Sequence, residues 1–387
     1  MPIINRAAEL QAEATEWRRH LHRNPELLYD VHETAAFVEA RLKEFGVDEI
    51  VGGIGGTGVV GVIRGHGPGE RVIGLRADMD ALPLEEMTGR AWSSRVAGRM
   101  HACGHDGHTA MLLGAAKHLA ESRNFNGTVA IVFQPAEEGG AGALAMIQDG
   151  LMERFGIEEV YGMHNMPGIP IGRFAIRRGA IMAAPDKFTI TVKGRGGHAA
   201  QPHRTIDPIL IGSQIVGALQ AVAARNADPL ASVVVSVTRF EAGTTHNIIP
   251  DTAELAGTVR SLNEEVRDLA EQRIRQIVNG IALAHDTTAE IAYERNCPVT
   301  INHDRETGHA ATAAAEVAGA DNLITEVEPS MAGEDFAYML KSRPGAFIFI
   351  GNGDSAPLHN PAYDFSDEAI AYGISYWVRL AEQRLSD

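Results

Sequence analysis

Two cysteines, Cys103 and Cys297, are all that the 387 residues contain. Two thiols cannot build a disulfide framework, so a small cross-linked scaffold is excluded. Basic residues are also in short supply: 34 Lys and Arg stand against 50 Asp and Glu, a formal charge of −16. So acidic a chain lacks the basic patch that nucleic-acid phosphates call for. No apolar run reaches the length of a membrane span. The stretch Met1 to Arg23 is charged and has no apolar centre like that of a signal peptide. Long charge blocks, internal repeats and low-complexity segments are missing too. These absences lead to the expectation of a soluble, cytoplasmic protein with neither nucleic-acid nor membrane partners. Apolar residues are not scarce, at 45%, so a substantial core is expected rather than disorder.

What the chain does have is concentrated. Met100-His101-Ala102-Cys103-Gly104-His105-Asp106-Gly107-His108 packs three histidines, a cysteine and an aspartate into one short run. Imidazole and thiolate are good ligands for zinc and its neighbours. A second cluster, Gln134-Pro135-Ala136-Glu137-Glu138-Gly139-Gly140, follows an apolar run that reads as a strand. Together the two clusters point to a metal-dependent hydrolase.

The pattern along the chain is α/β. Helices are expected over Ile4 to Arg23, His32 to Phe45, Thr109 to Glu121 and Ala141 to Asp149. Strands are expected at Val59 to Ile63, Arg71 to Leu75, Val129 to Phe133, Glu159 to Met163 and Ala346 to Ile350, with a glycine-rich turn at Gly65 to Gly69. Asp78, Asp80, Glu137, Glu138 and His164 then each follow a strand, and open α/β sheets form their sites outside the carboxyl ends of strands. The character changes near Pro185. Strands at Lys187 to Lys193, Ser232 to Arg239, Thr252 to Arg260 and Thr288 to Tyr293 alternate with helices at Asp207 to Arg225 and Glu264 to Ala284. This β-α-β-β-α-β order is ferredoxin-like. The expected fold is therefore α/β in two domains: a catalytic domain with a mixed sheet, residues 1–185 and 296–387, interrupted by an inserted ferredoxin-like α+β lid, residues 186–295.

Each candidate has a bland reading beside the chemical one. An isolated Cys103–His105 pair would more often be a buried thiol beside surface imidazoles; the company of His101, Asp106 and His108 favours metal. A structural zinc site would want more cysteines, so other ligands must come from far along the chain, as in catalytic sites. Adjacent acids such as Glu137-Glu138 are usually a solvated loop. Their side chains diverge, however, which suits one carboxylate on metal and its neighbour facing a water whose pKa a metal lowers from about 15.7 toward about 7. His164 and His359 are lone histidines, each followed by asparagine, and such residues are more often structural than ligands. Asp78 is suited either to orient a ligand histidine or to cap a helix. His198, in Gly194-Arg195-Gly196-Gly197-His198-Ala199-Ala200, is on chemistry alone an ordinary loop histidine, and Arg260 an ordinary surface arginine.

In joint order the motifs resemble the M20 metallopeptidase family, and within it the amidohydrolase branch of aminoacylases, hippurate hydrolases and auxin-conjugate hydrolases. The resemblance runs nearly end to end. It is carried by Arg18-Arg19-His20-Leu21-His22-Arg23-Asn24-Pro25-Glu26, Leu75-Arg76-Ala77-Asp78-Met79-Asp80, the Cys103 and Glu137 clusters, Met163-His164-Asn165, the His198 loop, Thr245-His246-Asn247-Ile248-Ile249-Pro250, Gly257-Thr258-Val259-Arg260-Ser261, Gly333-Glu334-Asp335-Phe336 and Leu358-His359-Asn360-Pro361. It implies two divalent metal ions per subunit (zinc, manganese, cobalt or nickel), held by Cys103, His105, Glu138, His164 and His359. Glu137 would be the general base and acid. His198 would reach the active site of a partner subunit and stabilise the oxyanion, in a homodimer formed through the lid. Asn247 and Arg260 would bind substrate. Where the wider family has a histidine this chain has Arg76, a departure that the amidohydrolase branch shares.

The implied substrate is an N-acyl amino acid, of N-acetyl or N-benzoyl type, cleaved to carboxylate and free amino acid. Alternatives on the same fold are a dipeptidase or an N-acetyl-diaminopimelate deacetylase. A metal-dependent binding protein is a different class, which the presence of Glu137 argues against. A redox sensor at Cys103 is a third reading, with neighbouring histidines lowering the thiol pKa.

Overall fold

The computed structural model describes residues 3–386. The chain divides into two compact units: Met1–Ile181, Thr300–Glu328 and Asp335–Asp387 form the first, Met182–Val299 and Pro329–Glu334 the second.

The first unit is built on an eight-stranded mixed sheet. Its strands lie in the order Glu49–Ile54, Gly58–Arg64, Asn126–Gln134, Gly67–Asp78, Glu159–Met166, Gly345–Gly351, Phe174–Ala175, Leu323–Ile324. The four central strands, from Asn126–Gln134 to Gly345–Gly351, run parallel. Their carboxyl ends therefore share one edge. Their sequences are near-continuous apolar runs because helices cover the sheet, as expected for parallel strands buried on both faces. Helix His105–Ser122 packs against helices Asn5–Arg23 and Ile370–Arg384 and against strand Gly67–Asp78. Its Met111, Leu112, Leu113 and Leu119 are fully buried, each contributing about 1.5–3 kcal/mol relative to exposure.

Several boundaries differ from expectation, and two matter for function. The central helix begins at His105 rather than Thr109, so His105 and His108 sit on its first turn. Glycine at 104 and 107 masks this start in the sequence. Strand Glu159–Met166 outruns its predicted end at Met163, so His164 lies inside the strand, paired with Phe349, rather than after it. The expected Gly65–Gly69 turn is also shorter, since strand Gly67–Asp78 already begins within it.

The second unit has four antiparallel strands, ordered Val233–Ala242, Thr252–Ser261, Ala184–Lys193, Ala289–Arg295. Helices Pro208–Ala221 and Glu264–Ala284 pack on the sheet. Asp207 caps the first through the N–H groups of Ile209 and Leu210, and Asn263 caps the second through those of Glu265 and Val266, as side-chain oxygens at this position commonly do. Contrary to the sequence reading, one helical stretch, Pro208–Asn226, is long and apolar enough to cross a membrane by length and composition. Here its Ile211, Ile215, Leu219 and Val222 are buried with Phe188, Ile190 and Leu255 in the core of this unit.

Candidate metal centre

The parallel strands deliver the predicted residues of the first unit to one edge. Asp78 ends its own strand, and Gln134 ends the strand preceding Glu137-Glu138. Between helix and sheet sits the turn carrying Cys103 and His105. Gly104, with φ +92°, makes that turn possible, and a Cβ there would lie 2.2 Å from Asn165 Nδ2. The close approach has a purpose: Asn165 Nδ2 donates to the Cys103 carbonyl at 2.6 Å, and Tyr363 OH donates to Asn165 Oδ1 at 2.6 Å. Cys103 Sγ is thereby held 3.3 Å from His164 Nε2.

Hydrogen bonds fix the ring nitrogens. His105 Nδ1 is 2.8 Å from the Asp80 carbonyl and His164 Nδ1 is 2.6 Å from the Asn165 carbonyl. A carbonyl only accepts, so Nδ1 is the donor in both rings and Nε2 is the nitrogen that faces the centre. His105 Nε2 is buried with no hydrogen-bond partner. It lies 4.0 Å from Glu137 Oε2. His108 differs. Its Nδ1 bonds Asp78 Oδ1 at 2.6 Å, and its Nε2 accepts the N–H of Asn165 at 3.0 Å, so it has no lone pair left for a metal and serves as a brace.

Glu137 and Glu138 ride on a strained turn, with Ala136 at φ +54° and Ala141 at φ +55°. Asp80 holds this turn. Its two carboxylate oxygens accept the N–H groups of Glu137 and Glu138 at 3.0 and 3.1 Å. Only its place after a strand signalled it. Glu138 Oε1 faces His359 Nε2 at 3.3 Å. His359 has φ +61°, and its N–H donates to the Ala102 carbonyl at 2.8 Å, which ties it to the cysteine turn. Asp78 bonds both His108 and the fully buried Arg76, whose Nη1 lies 2.8 Å away. Arg76 also bonds Gln134 and Asp335. Asp78 lies 3.8 Å from His105 Nε2.

These atoms form overlapping ligand sets. Cys103, His105 and His164 offer one; Cys103, Glu138 and His359 a second; His105, Glu137 and Glu138 a third. Sulfur, nitrogen and carboxylate donors in this mixture suit a divalent transition metal. The electrostatics agree. Burial opposes charge on His105, but Asp78, Asp80 and Glu138 lift its pKa to about 10. The same carboxylates would favour a cation beside this ring. Burial, then the fields of Glu138, Glu137 and Asp78, push the Cys103 thiol well up. Burial pulls His164 well down, with His108 adding to it. Glu138 stays below the usual range although burial opposes this, because His359 and His105 favour its charge. Burial and these carboxylates work against a thiolate at Cys103, whereas the redox-sensor reading needs its pKa lowered.

In the second unit, strand Gly197–His198 pairs with Ile248–Ile249, and Ala199 N–H donates to the Asn247 carbonyl at 3.0 Å. His198 and Asn247 are thus neighbours. Ala200 N–H donates to His198 Nδ1 at 3.1 Å, which leaves Nε2 as the proton-bearing nitrogen. Arg260 lies near the far end of strand Thr252–Ser261, roughly 25 Å along the strand from Thr252. Its guanidinium bonds Thr258 Oγ1 and the Val259 carbonyl. Burial lowers its pKa, with Asp186 opposing. The structure does not bring Arg260 and His198 together within this unit.

Strand ends, a helix start and a loop that together gather a cysteine, histidines and paired glutamates around one partly buried centre define a metallohydrolase. The chain belongs to peptidase family M20/M25/M40, whose model matches residues 74–383. It is 45% identical to a hippurate hydrolase of Campylobacter jejuni over 98% of this chain and 99% of the relative. It is 42% identical to an N-acetyl-L-cysteine deacetylase of Bacillus subtilis, over 96% and 87%. Among solved structures, a Bacillus subtilis protein described as a dinuclear metal binding peptidase from the M20 family superposes with a TM-score of 0.85 at 35% identity, covering 98% of this chain and 99% of that one.

Proposed function

We propose that this protein is a metal-dependent amidohydrolase of N-acyl amino acids, of N-acetyl or N-benzoyl type. The observation that carries the reading is the pairing of Glu137 with Glu138 at the ligand cluster, where Glu137 Oε2 lies 4.0 Å from His105 Nε2. Binding alone requires no such second carboxylate. Likeness to a hippurate hydrolase and an N-acetyl-L-cysteine deacetylase supports the substrate class.

Cys103, His105, Glu138, His164 and His359 would hold two divalent ions. When bound, these supply Lewis acidity and lower the pKa of a coordinated water. Glu137 takes the proton of the attacking water and returns it to the leaving amine. His198 stabilises the developing oxyanion by donating a hydrogen bond from its Nε2–H. Arg260 grips the substrate carboxylate in a bidentate pair, and Asn247 orients the amide.

Residues 186–295 act as an inserted lid that also forms a homodimer, and His198 serves the partner's site. Edge strand Val233–Ala242 supports the dimer: it is paired on one side only and exposes Val234 and Phe240. Such an edge is ready to pair with another chain. Mixing His198→Ala with Glu137→Gln protein, under conditions of proven subunit exchange, is expected to restore about a quarter of wild-type activity, since half of the random dimers carry one intact composite site. No recovery would confine His198 to its own chain.

Substrate choice is tested with a panel of N-benzoyl and N-acetyl amino acids beside their carboxamides. The acids are expected to be cleaved, with kcat/KM at least about tenfold above the carboxamides, the loss of one charge-assisted pair. Arg260→Ala should shrink that gap. Equal kcat/KM for acid and carboxamide in the unmodified enzyme would remove Arg260 from the assignment. A dipeptide and N-acetyl-diaminopimelate in the same panel read out the alternative acyl groups.

A further inference from the structure

The N-terminal motif Arg18-Arg19-His20-Leu21-His22 has no part in the chemistry above, yet it buries two charges beside the metal centre. Arg18 and His22 lie one turn apart on helix Asn5–Arg23, and both are 0% exposed. His22 Nδ1 is 2.8 Å from Asp106 Oδ2, and its Nε2 is 3.3 Å from Glu86 Oε2. Arg18 Nη1 stands 3.6 Å from the same Asp106 oxygen, while Nη2 pairs with Asp367 at 2.6 Å. Burial works against charge on His22, but Asp106 and Glu86 outweigh it and raise the pKa to about 9. The ring is a cation held between two carboxylates.

Those carboxylates stand on two different segments of the centre. Asp106 follows His105 in the first turn of helix His105–Ser122. That turn has no side-chain cap of its own, because its N-cap is Gly104. Glu86 stands on the loop between Leu82 and Met100, which grips the segment after His359. Met87 N–H donates to the Pro361 carbonyl at 2.8 Å, Trp92 Nε1 to Asp364 Oδ1 at 3.2 Å, and Arg90 Nε pairs with Asp364 at 2.9 Å. One imidazole therefore joins the turn bearing His105 to the 82–100 loop, which in turn holds the segment after His359.

We infer that His22 is a positioning residue, whose bridge from Asp106 to Glu86 sets the spacing between the turn bearing His105 and the loop that braces the segment after His359, and so preassembles the metal centre. The inference rests on the metal-ligand reading proposed above. A buried ion pair is weak evidence for fold stability, since its desolvation offsets much of its attraction, and fixing a geometry is the better-supported use. Residues that hold ligands in place typically alter metal affinity by about 10–100-fold. An indirect bridge should fall at the lower end of that range.

The test is zinc affinity measured by competition with a chelator on full-length wild type, His22→Gln and Glu86→Gln, with near-ultraviolet circular dichroism to establish folding. His22→Gln is expected to hold its weaker zinc ion about tenfold less tightly, with kcat restored by excess zinc and KM unchanged. Glu86→Gln, which leaves the Asp106 pair in place, should shift affinity in the same direction by less. Unchanged zinc affinity in folded His22→Gln overturns the inference. If that variant does not fold, unchanged affinity in Glu86→Gln overturns it instead. A wild-type protein that binds no zinc in this assay would overturn the metal-ligand reading itself, which separates the two failures.

Discussion

Glu137→Gln is expected to lower kcat by about 10²–10⁴, the usual contribution of a positioned general base, while metal content stays at the wild-type level. The substitution keeps the size of the side chain and removes the basic oxygen. The turn that carries it should not move, because Asp80 holds Glu137 through its backbone N–H at 3.0 Å, not through its side chain. Glu138→Gln should differ in kind. Glu138 faces His359 Nε2 at 3.3 Å and belongs with Cys103 and His359 in one ligand set, so its loss should release metal and take activity with it. The check is elemental analysis of both purified variants beside their steady-state kinetics. Metal lost from Glu137→Gln, with metal kept by an inactive Glu138→Gln, would exchange the two roles.

Much of this centre was legible because short motifs concentrate rare side chains. Cys103 and His105 declared themselves by type and spacing. Glu137 and Glu138 did so by following an apolar run. The parallel strands were legible as apolar runs, which burial on both faces requires. What stayed hidden is long-range. His359 reaches the cysteine turn through a backbone hydrogen bond to Ala102, and nothing local to residue 359 records that. His108 looked as ligand-like as His105, but both its nitrogens are taken, by Asp78 and the backbone of Asn165. The central helix starts at His105, ahead of the apolar repeat that marks it from Thr109. Gly104 allows the close approach of Asn165. The helices Asp304–Ala318 and Ile370–Arg384 also lie outside the expected elements.

Asp80→Asn is expected to lower both metal affinity and kcat by about 10–100-fold, the range for residues that hold ligands in place. Asp80 is fully buried and lies on the segment joining the strand that ends at Asp78 to the rest of the site. Its neighbours are pinned in turn: Met79 N–H donates to the Gln134 carbonyl and Ala81 N–H to the Glu26 carbonyl, each at 2.8 Å. One residue thus accepts three hydrogen bonds from the centre, two at its carboxylate from the Glu137 and Glu138 N–H groups and one at its carbonyl from His105 Nδ1. Asparagine keeps the carbonyl and one side-chain acceptor. Its amide nitrogen then faces an N–H, donor against donor, and one buried N–H goes unsatisfied at a cost of about 1–3 kcal/mol. The carboxylate charge near His105 is lost as well. The glutamate turn is already strained at Ala136 and Ala141, so weakening its anchor should let it relax away from the ligand geometry. Activity should return in part when metal is added in excess, and KM should move less than kcat. A variant that keeps wild-type kcat and metal content would show that the Glu137-Glu138 turn holds its shape without Asp80.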